Sequence, residues 1–129
     1  MKRLCWKNTR KLIDANIILR YLLNDNPEMS EKAKEIINDG AFTIPEVMAE
    51  VIYVLKGVYK VERQEISDVL QEFLKEIKIE NYEVMREALQ IFKDTSLDFV
   101  DCILIARNRI LKNEVVSFDK KLNKVLAAS

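Results

Sequence analysis

Apolar residues are spaced in two ways along this chain: short unbroken runs, and longer stretches in which they recur every three or four positions. Lys11-Leu12-Ile13, ending in Asp14, is the first short run and predicts a buried strand. Ile17, Ile18, Tyr21 and Leu22 then follow at helical spacing. Asn26-Pro27 breaks the chain and opens another helix, since proline fits a first helical turn, and Gly40 is placed to close it. Ala41 to Ile44 predicts a second strand. Pro45 starts a helix with Val47, Val51, Val54 and Leu55 on one side, interrupted near Gly57.

From Glu62 onward Ile66, Val69, Leu70, Phe73 and Leu74 form an amphipathic stripe. Ile77 to Ile79 predicts a short edge strand. Tyr82 to Lys93 predicts a helix whose inner face is Met85, Ala88, Leu89 and Phe92. Thr95 or Ser96 is placed to cap the next helix, which runs through Ile103, Leu104 and Ala106 to about Leu111. Glu114 to Phe118 predicts a last strand ending at Asp119, and Lys120 opens a final short helix. Strands that are continuous apolar runs, alternating with helices, predict an α/β fold with a parallel sheet buried between helices. No linker, repeat or low-complexity tract divides the chain, so residues 1–129 are expected to form one domain, with 1–10 an extra segment before the first strand.

Composition narrows the chemistry. The chain contains no histidine, which removes histidine-zinc sites and the histidine-based nucleophile systems. Two glycines are too few for a phosphate-cradling loop or a dinucleotide turn. The two cysteines, Cys5 and Cys102, form no paired motif, and Cys102 within the apolar run Phe99 to Ala106 is expected to be buried packing. A low cysteine count and a charged start without a signal peptide favour a reduced, cytoplasmic protein, and no apolar stretch is long enough to span a bilayer. Carboxylates or lysines must then carry any reaction.

The formal net charge of zero hides an uneven distribution. Residues 1–12 carry +5, residues 13–104 carry −9 and residues 105–129 carry +4. Basic ends around an acidic middle suit a polyanion gathered by the ends and a cation held by the middle.

Ligands of parallel α/β sheets bind beyond the carboxyl ends of the strands. Asp14 and Asp119 each end a predicted strand there, and Glu50 interrupts the apolar run Val47, Met48, Val51, Ile52 in mid-helix. Asp98 and Asp101, three apart, lie near the start of another helix. Each acid has a plain alternative: Asp14 and Asp119 as helix caps, Asp98 and Asp101 as favourable charges in a first turn, Thr95-x-x-Asp98 as a capping box. Convergence of all five on one sheet edge is the more economical account. Such a cluster is tolerated only if protonated, paired with Lys or Arg, or neutralised by a metal ion.

Four segments carry a resemblance: Leu12-Ile13-Asp14-Ala15-Asn16-Ile17-Ile18-Leu19, Ile44-Pro45-Glu46-Val47-Met48-Ala49-Glu50-Val51, Leu97-Asp98-Phe99-Val100-Asp101-Cys102-Ile103-Leu104-Ile105-Ala106 and Ser117-Phe118-Asp119-Lys120-Lys121-Leu122. In order and spacing they resemble the PIN-domain family, and within it the toxin nucleases of toxin–antitoxin pairs. The resemblance implies a helix-rich three-layer α/β/α sandwich around a short parallel sheet. It implies that Asp14, Glu50, Asp101 and Asp119 hold Mg²⁺ or Mn²⁺, with Asp98 an accessory catalytic acid. Asn16 matches an asparagine that steadies the first acid, and Ser117 a hydroxyl near the fourth. Ala15 departs from the threonine or serine usual between the first acid and Asn16. The implied substrate is RNA, and the implied partners are a small inhibitory antitoxin and a second copy of the chain. Carboxylates without histidine or thiolate are a natural setting for these hard cations. The alternatives are a housekeeping PIN nuclease in RNA processing, a non-catalytic α/β interaction domain, and a phosphoacceptor signalling domain. The last would place two adjacent acids at the first strand and a lysine after a later one, and neither stands at the corresponding places here.

Overall fold

The computed structural model describes residues 11–129, so the basic segment 1–10, with Cys5 and Trp6, lies outside the described residues. Its elements run β1 (Lys11–Leu12), α1 (Ala15–Leu23), α2 (Pro27–Asn38), β2 (Ala41–Thr43), α3 (Pro45–Gly57), α4 (Arg63–Phe73), β3 (Lys78–Ile79), α5 (Tyr82–Asp94), α6 (Phe99–Leu111) and α7 (Lys120–Ala127). Local chemistry sets many of these limits. The Asp14 carboxylate caps α1 by accepting from Ile17 N at 3.1 Å. The Asn26 side chain does the same for α2 from Met29 N at 3.1 Å, and Pro27 supplies the fixed φ of a first turn. Gly40, at φ 97°, makes the left-handed step that turns the end of α2 into β2, a conformation that favours glycine.

The three strands form a parallel sheet in the order β1-β2-β3, with Lys11 opposite Ala41, Leu12 opposite Phe42, Phe42 opposite Lys78 and Thr43 opposite Ile79. Parallel neighbours must be joined by crossovers, and here each crossover is a pair of helices. One continuous core joins the elements, with Ile18, Met48, Val51, Ile66, Leu70, Phe73, Leu89, Phe92 and Ile105 all buried. The helix-rich α/β/α arrangement expected from the sequence is the one observed.

Three local expectations are corrected. Glu114 to Phe118 forms no strand among the described residues. Side-chain bonds hold the two ends of this stretch in place of a ladder. Arg107 Nε donates to Asn113 Oδ1 at 2.9 Å, Asn108 Nδ2 to Asn113 O at 2.9 Å, and Asn123 Nδ2 to Ser117 O at 2.8 Å. Val116 and Phe118 are left 85% and 103% exposed. β1 is therefore an edge of the three-stranded sheet rather than a buried strand, and Leu12 is 54% exposed while Ile13 is buried.

The third correction concerns the start of α6. Thr95 closes α5 by donating to Ile91 O at 2.8 Å and accepts from Leu97 N at 3.3 Å. Asp98, not Thr95 or Ser96, occupies the N-cap position of α6, without a capping bond from its side chain. Val69, expected in the apolar stripe of α4, is partly exposed.

Candidate active site

Four of the five candidate acids stand at or near the start of a helix, and Glu50 lies in the middle of one. Asp14 follows β1 directly and caps α1. Glu50 is exposed on α3, just beyond the end of β2. Asp98 stands at the N-cap position of α6, and Asp101 is half-buried in its first turn. Asp119 caps α7, accepting from Leu122 N at 3.0 Å. The helices form a chain of contacts, α1 on α3, α3 on α6 and α6 on α7. In a parallel sheet the start of α1 and the start of α3 lie at the same edge.

Burial raises the Asp101 pKa above the usual carboxylate range, and the charges of Asp98 and Asp119 push it the same way. These three carboxylates therefore share one electrostatic neighbourhood. Asp14 and Glu50 lie on the helices next in that chain of contacts, α1 and α3. None of the five acids is ion-paired among the described residues. Nor, among those residues, are any three acidic side chains gathered tightly enough to make a ready cage for a metal.

Capping and ligation are compatible at Asp14 and Asp119. In each, a backbone N–H takes Oδ1 and leaves Oδ2 uncommitted. Ser117 braces the second of these: its Oγ accepts from Asp119 N at 3.0 Å. Asn16 lies exposed in the first turn of α1 and makes no hydrogen bond to Asp14. Hard, uncompensated oxygen donors without nitrogen or thiolate fit Mg²⁺ or Mn²⁺ by their chemistry.

Two supporting residues were not singled out from the sequence. Thr43, buried at the end of β2, donates from Oγ1 to Ile13 O at 3.2 Å and so fixes the peptide immediately before Asp14. Arg63, at the start of α4, donates from Nε to Phe92 O at 2.9 Å and from Nη2 to Leu97 O. Its guanidinium carbon lies 3.7 Å from the centroid of the Phe92 ring. The third nitrogen, Nη1, is buried without a hydrogen-bond partner. Burial lowers the Arg63 pKa, while the neighbouring Cys102 and Asp98 side chains oppose that shift. Arg63 thus ties the end of α5 to the loop that delivers Asp98 and Asp101. Cys102 is buried as expected, and burial pushes its thiol up to about 11, leaving it protonated and unreactive at neutral pH.

The model of the PIN domain matches residues 11–127. The chain belongs to the PIN domain family. A VapC ribonuclease of Aquifex aeolicus (strain VF5) is 27% identical over 128 residues, covering 89% of this chain and 91% of the relative. No solved structure gives a significant match. Among the described residues of this PIN domain, no helix is long and apolar enough to cross a membrane.

Proposed function

We propose that this PIN domain is an Mg²⁺- or Mn²⁺-dependent endoribonuclease, the toxin half of a toxin–antitoxin pair, working in the cytoplasm. The observation that carries the reading is that Asp98 and Asp119 act on Asp101 at the start of α6, with no basic side chain ion-paired to any of the three among the described residues. Membership of the PIN family and the similarity to a protein named as a VapC ribonuclease support it. Asp14, Glu50, Asp101 and Asp119 would hold the ion, with Asp98 beside them. A divalent ion held there would supply a more acidic water and positive charge opposite the phosphodiester.

The chain's own residues prepare that site. The caps on Ile17 N and Leu122 N hold the Asp14 and Asp119 carboxylates in one orientation, with an oxygen of each still available. Ser117 and Thr43 set the backbone under those two acids. Lys120, Lys121 and Lys124 on α7 are exposed and unpaired among the described residues, beside Asp119, and suit phosphates of a bound strand.

The proposed partners are a second copy and a small antitoxin. Most of the apolar surplus between Pro45 and Leu74 packs inside, including Met48, Val51, Ile52, Leu55, Ile66, Leu70, Phe73 and Leu74. Val58 and Tyr59 after α3, and Val69 on α4, remain exposed for such contacts.

The test is cleavage of assorted RNAs by purified protein, with and without Mg²⁺ or Mn²⁺, beside Asp101→Asn. Cleavage that requires the ion and is lost in the variant is expected. Undiminished cleavage by Asp101→Asn, or by the wild type in excess chelator, would overturn the reading.

A further inference from the structure

On α3, Glu50, Tyr53 and Lys56 succeed one another at intervals of three residues, and all three are exposed. Side chains so spaced lie along one side of a helix, so the row runs from the acidic edge outward as acid, aromatic, base. Along the axis, Tyr53 stands about 4.5 Å beyond Glu50 and Lys56 about 9 Å beyond it.

Tyr53 and Lys56 line a groove of about 500 Å³, to which the start of α6 contributes Asp98, Phe99 and Val100. Ile52 and Phe92 add to the apolar lining. Asp98 therefore belongs both to this groove and to the acid cluster, which makes the two continuous. The Tyr53 ring is 77% exposed and stacks on no other aromatic ring among the described residues. Lys56 makes no ion pair among the described residues.

We infer that this groove is a nucleobase subsite, in which Tyr53 stacks a base of single-stranded RNA and Lys56 holds a phosphate of the same strand, within roughly two nucleotides of the cut. The inference rests on the ribonuclease reading. An aromatic face next to a lone cation is the pairing that sequence-tolerant single-strand binding requires: every base has a π-face, and every nucleotide brings a phosphate. A purely apolar peptide segment would fill the apolar part of the groove and leave Lys56 without a counter-charge, whereas each nucleotide brings both a flat base and a phosphate. Stacking through the ring face asks nothing of the Tyr53 hydroxyl.

Fluorescence anisotropy tests the subsite, using a 5′-fluorescein-labelled twelve-residue oligouridine RNA and full-length protein carrying Asp101→Asn to prevent cutting. Adding Tyr53→Ala should weaken binding roughly ten-fold, whereas Tyr53→Phe should stay within about two-fold of the parent. Lys56→Ala should weaken binding and lower the salt slope by about one. Tyr53 is largely exposed, so the thermal melt of each variant should match the parent.

Unchanged affinity in Tyr53→Ala overturns the subsite. If the same variant also loses self-association in light scattering, the groove belongs to a protein contact. A loss in Tyr53→Phe as large as in Tyr53→Ala likewise overturns stacking. These failures leave the ribonuclease reading standing, provided the wild type still cuts RNA. A wild type that neither binds nor cuts any RNA overturns both.

Discussion

Two stretches bring acids to the same neighbourhood, and they are held in different ways. The Thr95–Asp101 corner is fastened from several sides: Thr95 bonds back to α5, Arg63 grips Phe92 O and Leu97 O from α4, and Phe99 and Cys102 are buried beneath it. The 112–119 stretch has no ladder and no buried side chain. Side-chain hydrogen bonds at its two ends fix it, and Val116 and Phe118 face outward. One acid-bearing wall is thus set by the buried core, while the other is a surface strap that touches the core only through the partly buried Val115.

The largest effect expected from breaking either wall is on RNA cleavage. Asp119→Asn should lower it by orders of magnitude with the fold intact, because Asn still caps α7 yet is a poor ligand for a hard cation. Full activity in that variant would remove the strap from the mechanism.

Next comes Arg63→Ala, which leaves two carbonyls without their donor and strips the cation from the Phe92 ring. It should cost roughly 2–4 kcal/mol in a urea titration. Arg63→Lys should recover only a small part, since a point charge cannot reproduce the fork. A loss under about 0.5 kcal/mol in Arg63→Ala would show that the corner is not braced from α4.

Saturating Mg²⁺ or Mn²⁺ should raise Tm by mass action, by about 2.7 kcal/mol of stability at a hundred times Kd. Asp14→Asn and Asp101→Asn should each remove most of that shift. An undiminished shift in both would place the ion elsewhere.

Smallest is Phe118→Ser. With its side chain fully exposed, it should change stability by less than about 0.5 kcal/mol. A loss above about 2 kcal/mol in the same urea titration would mean that the strap packs as firmly as the corner.

What the sequence disclosed and what it withheld follow the same division. Asp14 before α1, Pro27 and Pro45 opening helices and the inner face of α5 were legible because their cues lie within a turn or two. The candidate acids also stand out locally, since a carboxylate in or beside an apolar run is visible within a turn, and their joint role is the proposal made above. Arg63 was not legible, because its partners lie 29 and 34 residues away, and neither was Thr43, which reaches back 30 residues to Ile13. Val115-Val116 has the composition of a strand, but strand formation needs a partner's backbone as well as apolar side chains. Here the Asn113, Ser117 and Asn123 bonds take the stretch elsewhere.

The parallel sheet also bears on the order in which the molecule assembles. Each of its pairings joins residues about 30 or more positions apart, across two helices, and each strand contributes only two or three residues. Loop closure on that scale is unfavourable until something else has drawn the ends together. By contrast α5 and α6 pack extensively across a connection of four residues, Thr95 to Asp98. We expect this hairpin of helices to acquire amide protection first in pulse-labelled hydrogen exchange, with β1 and β2 docking late. Protection of Ile13 N, which donates to Phe42 O, ahead of the α5 and α6 amides would reverse that sequence. On the expected order the acids of α6 reach their native backbone before Asp14 does, and the carboxylate cluster is completed only as the chain finishes folding.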